Sequence, residues 1–173
     1  MRSVHRYFAI LAISALVAPQ PGSAQAKKAA ADADQKELYS YVLTVDKLHK
    51  LADATRDMKE WQKKNPQAAD EKADTSSEED SISQRVKDIE AKAPEFVAIV
   101  RKNGLTTREY MVALLVLMQA SILVGMKKAT DTEYSKDATT LVSPANLAFV
   151  EQHWEELQKM NLGDDSKNGD DKN

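Results

Sequence analysis

The chain has 173 residues, a formal net charge of −3 at neutral pH and no cysteine. This length suits one domain with a single hydrophobic core, and the missing cysteine excludes disulfide bonds, thiolate metal sites, c-type haem attachment and a cysteine nucleophile. Aromatic residues make up 6% of the chain and no basic stripe is present, which argues against nucleic-acid binding.

Residues 1–24 have the composition of a secretory signal peptide. A basic start and an apolar run over residues 7–18 precede small residues that suit cleavage after Ala24 or Ala26. The run is short for a membrane span, so we interpret it as a leader, with an uncleaved anchor as the alternative. An exported chain without cysteine has no lipobox and fits a periplasmic or secreted localisation.

The first helical segment follows a stretch rich in alanine, lysine and aspartate, residues 25–34, that is expected to fray. Across residues 36–64, apolar residues recur at spacings of three and four, which predicts one long helix. In an alternative interpretation Thr44 caps a helix that begins at Val45, and residues 38–43 form a separate lead-in.

Residues 66–80 are polar and acidic and contain no large apolar side chain, which predicts a disordered linker within the bundle. A second helix is predicted over residues 81–92. Pro94 then suits the first position of a third helix that ends at Lys102. Gly104 follows, because glycine adopts the left-handed conformation that ends a helix.

A capping box marks the start of the central helix. Thr106 stands at the N-cap and Glu109 three residues later, so that each side chain can bond to the other's backbone N–H. Seventeen uncharged residues then run from Tyr110 to Met126, and such a helix lies either in a core or in a membrane. The run is about 25 Å long, less than a bilayer's hydrocarbon thickness. We therefore predict a buried central helix over about residues 106–128.

The last helix is predicted after a polar loop, residues 129–142. Ser143 at the N-cap and Pro144 at the first helical position form a strong start signal. The apolar spacing predicts one continuous helix that ends at Gly163. Residues 164–173 are then an acidic, disordered tail.

The chain lacks the motifs of common active sites: it has no nucleophile elbow, Gly-x-Gly-x-x-Gly fingerprint or phosphate loop. Beyond the leader its two histidines are His49 and His153, and neither has the spacing of a metal-binding helix. They are weak candidates for haem or metal ligation, and hydrogen-bonded boundary histidines are the simpler interpretation. We predict no catalytic, cofactor-binding or metal residue. The singled-out residues are structural caps: Gly104, Thr106, Glu109, Ser143 and Pro144.

Two segments carry a family resemblance: PEFVAIVRKNGLTTREYMVALLVLMQASILVGM and VSPANLAFVEQHWEEL. With their G-L-T-x-R-E-Y turn and S-P-A-N-x-x-F-V helix, they resemble an uncharacterised family of small exported helical proteins of Gram-negative bacteria. The resemblance covers about residues 42–157 and implies export and an all-α fold. No activity is assigned to that family, so it implies no catalytic residue. The matching positions are Gly104, Thr106, Glu109, Ser143, Pro144 and Asn146.

Together these patterns predict an all-α, single-domain bundle of four or five helices over residues 36–163, built around the central apolar helix. The leading functional hypothesis is a non-enzymatic exported protein with a binding or envelope-associated role. The alternatives are a haem or metal carrier and a membrane-tethered protein. No stable span is expected after leader cleavage, and a homodimer would cover any face of the central helix that the bundle leaves open.

Overall fold

The structure, a computed structural model, describes residues 21–66 and 81–160, with the side chains of residues 21–24 and 26 left out. Most of the expected leader, nearly all of the linker and the acidic tail lie outside the described residues. Their assignments stay predictions.

The described ranges form eight helices and no strand, which confirms the all-α bundle. The division at Pro94 is as predicted. The helix predicted over residues 36–64 and the last predicted helix are each interrupted, and a short helix lies within the predicted loop, so the helices are more numerous than the apolar periodicity indicates. In chain order they are α1 (Pro21–Ser40), α2 (Val45–Lys64), α3 (Ile82–Lys92), α4 (Pro94–Lys102), α5 (Thr107–Thr130), α6 (Lys136–Leu141), α7 (Pro144–Gln152) and α8 (Trp154–Met160).

The single helix predicted over residues 36–64 is wrong, and the alternative with Thr44 as a cap is confirmed. Thr44 has extended backbone angles, and its hydroxyl accepts a hydrogen bond from the backbone N–H of Lys47. The apolar stripe continues across residues 41–44 although the backbone breaks there. Side-chain periodicity therefore concealed a local capping signal.

Residues 25–34 are helical in the structure, so the expectation that they fray is wrong. Alanine-rich sequence has high helix propensity, and the end of α1 is anchored to other helices. Asp34 accepts a hydrogen bond from the backbone N–H of Ile82, 2.8 Å away, and Glu37 forms an ion pair with Arg108 of α5. Leu38 is buried in the core. The helical structure therefore begins ahead of residue 36.

The start of α5 agrees with its sequence signals. Gly104 has a φ of +74°, the left-handed conformation that ends α4. Thr106 and Glu109 form both bonds of the capping box, and α5 runs two residues beyond the predicted end. Leu105 and Tyr110, which the sequence places on either side of the cap, are both buried in one core cluster.

Helix α5 is the centre of the bundle. It packs most extensively against α7 and α3 and also contacts α1, α2 and α4. The shared core is almost wholly aliphatic. Its largest fully buried apolar side chains are Leu48, Leu51, Val100, Val112, Val116, Val124, Val142 and Val150.

The C-terminal segments differ from prediction in two places. The continuous last helix is wrong, because the chain turns at His153 between α7 and α8. This turn places Trp154 against Gly125 of α5, where an added Cβ would lie 3.3 Å from the indole ring. The predicted loop contains the short helix α6, whose N-cap Ser135 accepts a hydrogen bond from the backbone N–H of Ala138.

Candidate functional site

The buried face of α5 forms the middle of the core. Eight of its residues are buried, and they lie on the sides covered by neighbouring helices. They are Thr107, Tyr110, Val112, Ala113, Val116, Leu117, Ala120 and Val124. The prediction of a buried central helix is thus confirmed for one face.

The opposite face of α5 is apolar and open. Met118, Ile122 and Met126 are 51%, 59% and 60% exposed, and their four-residue spacing places them on one side of the helix. Met111 and Leu115, which are partly exposed, continue this line toward the start of α5. We call these five residues the open seam.

Exposed large apolar side chains indicate a contact surface when they are contiguous. Scattered exposed hydrophobic residues are ordinary on soluble proteins, whereas a continuous apolar strip usually marks a contact surface. The open seam carries no charge and no side-chain hydrogen-bond donor or acceptor apart from the weakly accepting methionine sulfurs. It can therefore make apolar contacts but cannot perform acid–base or nucleophilic chemistry.

By length and composition α5 could cross a membrane, and it is the one helix among the described residues that passes this criterion. Of its most apolar 18-residue window, 39% is buried within the protein. A core helix of a soluble protein passes the same criterion, so helix length and composition do not decide between the two interpretations. The one-sided burial of α5 is what distinguishes it from an isolated span.

The two histidines singled out from the sequence lie at one carboxylate. His49 Nε2 of α2 is 3.2 Å from Glu156 Oε1, and His153 Nδ1 is 3.0 Å from Glu156 Oε2. Since a carboxylate only accepts hydrogen bonds, both ring nitrogens must carry a proton there. Both bonds lower the pKa of Glu156 below its ordinary value, and the bond from His153 has the larger effect. Glu156 therefore links α2 to the α7–α8 turn.

This histidine bridge is not arranged as a metal site. With His49 Nε2 and His153 Nδ1 turned toward Glu156, the other nitrogen of each ring lies on its far side, away from that carboxylate. Within residues 21–66 and 81–160, no group of three or more histidine, aspartate or glutamate side chains could hold an ion. The haem or metal carrier alternative stays a prediction, and the bridge itself explains both histidines as structural.

The remaining predicted caps have structural roles. Ser143 accepts a hydrogen bond from the backbone N–H of Asn146, and Pro144 occupies the first turn of α7. Glu109 accepts hydrogen bonds from the backbone N–H and from the hydroxyl of Thr106. Both bonds lower the pKa of Glu109, and the backbone bond has the larger effect. These residues satisfy backbone groups at helix ends and do not converge on a common site.

Sequence reasoning missed a polar cluster that holds the segment after α5. Glu151 Oε1 accepts hydrogen bonds from the Tyr134 hydroxyl at 2.6 Å and from Lys127 Nζ at 3.0 Å, and the Lys127 ammonium also lies 4.7 Å from the Tyr134 ring centre. These bonds lower the pKa of Glu151, while burial and the Glu151 contact raise that of Tyr134. No local motif predicts this cluster, because Tyr134 and Lys127 are 17 and 24 residues from Glu151 in the sequence.

Comparisons of the chain with protein-family models, with curated proteins and with solved structures find no match. The family resemblance carried by the turn and helix motifs therefore stays a prediction. The open seam and the leader composition are the features of this chain that bear on its function.

Proposed function

We propose that this protein is an exported, non-catalytic binding protein of the cell envelope, and that the open seam of α5 is its binding surface. The observation that carries the proposal is the strip of Met118, Ile122 and Met126, each at least half exposed on a helix whose other face forms the core. Exposing such side chains to water is unfavourable, at about 25 cal/mol per Å² of apolar surface. A contact partner would remove that cost.

Support for export comes from the leader composition, and the contacts made by α1 lie beyond the expected cleavage sites. Cleavage after Ala24 or Ala26 keeps Asp34, Glu37 and Leu38, through which α1 is attached to the bundle. A mature chain would thus retain these attachments. The membrane-tethered alternative would need either an uncleaved leader or insertion of α5.

Site-specific photo-crosslinking tests the binding surface. A benzophenone amino acid is placed at Ile122 in cells that express the full chain, and in a control variant at Glu60, an exposed residue near the end of α2. We expect a saturable adduct of defined mass from Ile122 and none from Glu60, because apolar partners dock on the seam. Equal labelling at the two positions, or no adduct at either, would contradict the proposal.

A further inference from the structure

We propose that the open seam is a modification site: hydrogen peroxide or a related two-electron oxidant converts Met118 and Met126 to sulfoxides and makes the seam polar while the bundle stays folded. The inference rests on the proposed function, since it names a chemical regulation of that same surface. It is carried by three properties of the chain: the exposure of these two side chains, their position outside the core and the absence of any thiol.

The methionines of the described residues differ in their access to solvent. Met118 and Met126 are each more than half exposed, whereas Met58, Met111 and Met160 are partly buried. A two-electron oxidant must reach the sulfur from solvent, so the rate of oxidation follows exposure. The two exposed methionines should therefore react first.

The reaction at each of these side chains is the transfer of one oxygen atom. A lone pair of the thioether sulfur attacks one oxygen of hydrogen peroxide, and the O–O bond breaks. The sulfur loses two electrons and keeps that oxygen as a sulfoxide, while the other oxygen leaves as water with both hydrogens of the peroxide. Because the chain has no cysteine, no thiol of its own competes for the oxidant.

Oxidation at these two positions leaves the core unchanged. Neither Met118 nor Met126 belongs to the core cluster or to the side chains packed against it, so the added oxygen can point into solvent. Met160, by contrast, packs against the core cluster, where burying a sulfoxide oxygen would be unfavourable. The same reaction thus changes the seam without disturbing the packing beneath it.

The two sulfoxides would flank the centre of the seam. Met118 and Met126 each lie one helical turn from Ile122, about 6 Å along the axis of α5. A sulfoxide oxygen accepts hydrogen bonds, and no residue of the seam carries a donor. An apolar partner that covered the oxidised seam would remove both oxygens from water without replacing their hydrogen bonds, which is unfavourable. Oxidation should therefore weaken apolar contacts at the seam.

Peptide mass spectrometry of the purified protein during exposure to hydrogen peroxide tests the selectivity. We expect Met118 and Met126 to gain one oxygen atom each about fivefold faster than Met58 and Met160, because partial burial shields the second pair. The control is the same protein unfolded in urea, where the four rates should become equal. Equal rates in the folded protein would overturn the proposal.

Chromatography on a phenyl matrix tests the change of surface, and each protein is compared with its own untreated sample. Protein oxidised at Met118 and Met126 should elute earlier, with the same helix content by circular dichroism. The control is the double variant Met118→Leu with Met126→Leu, in which leucine is apolar and of similar volume but has no sulfur. Peroxide should not shift its elution. An unshifted wild type, or a loss of helix content on oxidation, would overturn the proposal.

Photo-crosslinking from Ile122 separates this inference from the proposed function. Cells are treated with hydrogen peroxide before illumination, and each chain is compared with its own untreated culture. We expect the adduct to fall by about fivefold in the chain that keeps both methionines and to persist in the double variant. An adduct that survives oxidation of Met118 and Met126 overturns the regulation and keeps the binding surface. No seam-specific adduct before treatment would overturn both proposals.

Discussion

At the residue scale, Asn146 supplies hydrogen-bond partners to the backbone at the break between α1 and α2. Its side chain is 1% exposed, and it bonds to two backbone groups of the break. Oδ1 accepts from the N–H of Leu43 at 3.0 Å, and Nδ2 donates to the carbonyl of Tyr41 at 2.7 Å. Backbone groups that leave a helix in a buried place need such partners. One side chain therefore lets the chain change direction inside the core.

Asn146→Ala should lower the free energy of unfolding by about 2–4 kcal/mol, because it leaves the two backbone groups of residues 41 and 43 buried without partners. Urea denaturation followed by circular dichroism measures this change. Asn65→Ala is the matched control: the side chain of Asn65 is exposed and bonds a carbonyl of its own helix. Asn65→Ala should lower the free energy of unfolding by less than about 0.5 kcal/mol. Equal costs for the two variants would show that Asn146 does not hold the break.

At the element scale, five of the described helices begin with a hydroxyl side chain that accepts a hydrogen bond from the backbone three residues on. Each cap satisfies an N–H that the helix itself leaves free, which is why these starts are sharply defined. The capping residues are Thr44, Ser81, Thr106, Ser135 and Ser143. The cap of α5 is extended by Glu109, whose negative charge also lies at the positive end of the helix dipole.

Glu109→Gln should destabilise the protein by about 0.3–1 kcal/mol at pH 7, since the amide keeps a hydrogen bond but loses the charge. The pKa of Glu109 is lower in the folded protein than its ordinary 4.5, so its stabilisation is present above that pH and is lost as pH falls through the folded pKa. The difference in free energy of unfolding between the wild type and Glu109→Gln should therefore become smaller below pH 4.5. Urea denaturation across pH measures it, and a difference that grows in acid would contradict the assignment.

Glu60→Gln is the control for this pH series. Glu60 is exposed near the end of α2, away from any helix start. Its substitution should change the free energy of unfolding little at every pH of the series, because pairs between exposed surface charges contribute little.

At the scale of the whole molecule, α1 is attached to distant parts of the chain. Near its C-terminus it contacts the first residue of α3, the first turn of α5 and the end of α6 through Asp34, Glu37 and Gln35 respectively. These contacts span 48 to 106 residues in sequence. The N-terminal helix therefore helps to hold together helices that are far apart in the chain.

Truncation tests this role. A chain that begins at Tyr41 should be less stable than one that begins at Lys27 by about 2–4 kcal/mol, since it loses the buried Leu38 and exposes its apolar contact surface. A chain that begins at Ala31 keeps Asp34, Glu37 and Leu38 and should match the Lys27 form within about 0.5 kcal/mol. Denaturant unfolding of the three chains gives the comparison. Equal stability of all three would show that α1 is not part of the cooperative unit.

The sequence by itself determined the fold class and the starts of α3, α4, α5 and α7. A cap acts over three residues, so Thr106 with Glu109, Ser143 with Pro144, and Gly104 are recognisable without knowing what lies nearby in space. The start of α2 at Thr44 was visible in the same way. It was outweighed by an apolar periodicity that continues across the break, which is why the single long helix was predicted.

Only the tertiary structure decided which residues contact one another across the bundle. Asn146 reaches the backbone of residues 41 and 43, and Glu156 reaches His49 from 107 residues away, and no local pattern encodes either contact. The open seam was hidden for a different reason. A helix that is apolar nearly all round has no periodicity to distinguish its faces, so which side stays exposed depends on where the other helices pack.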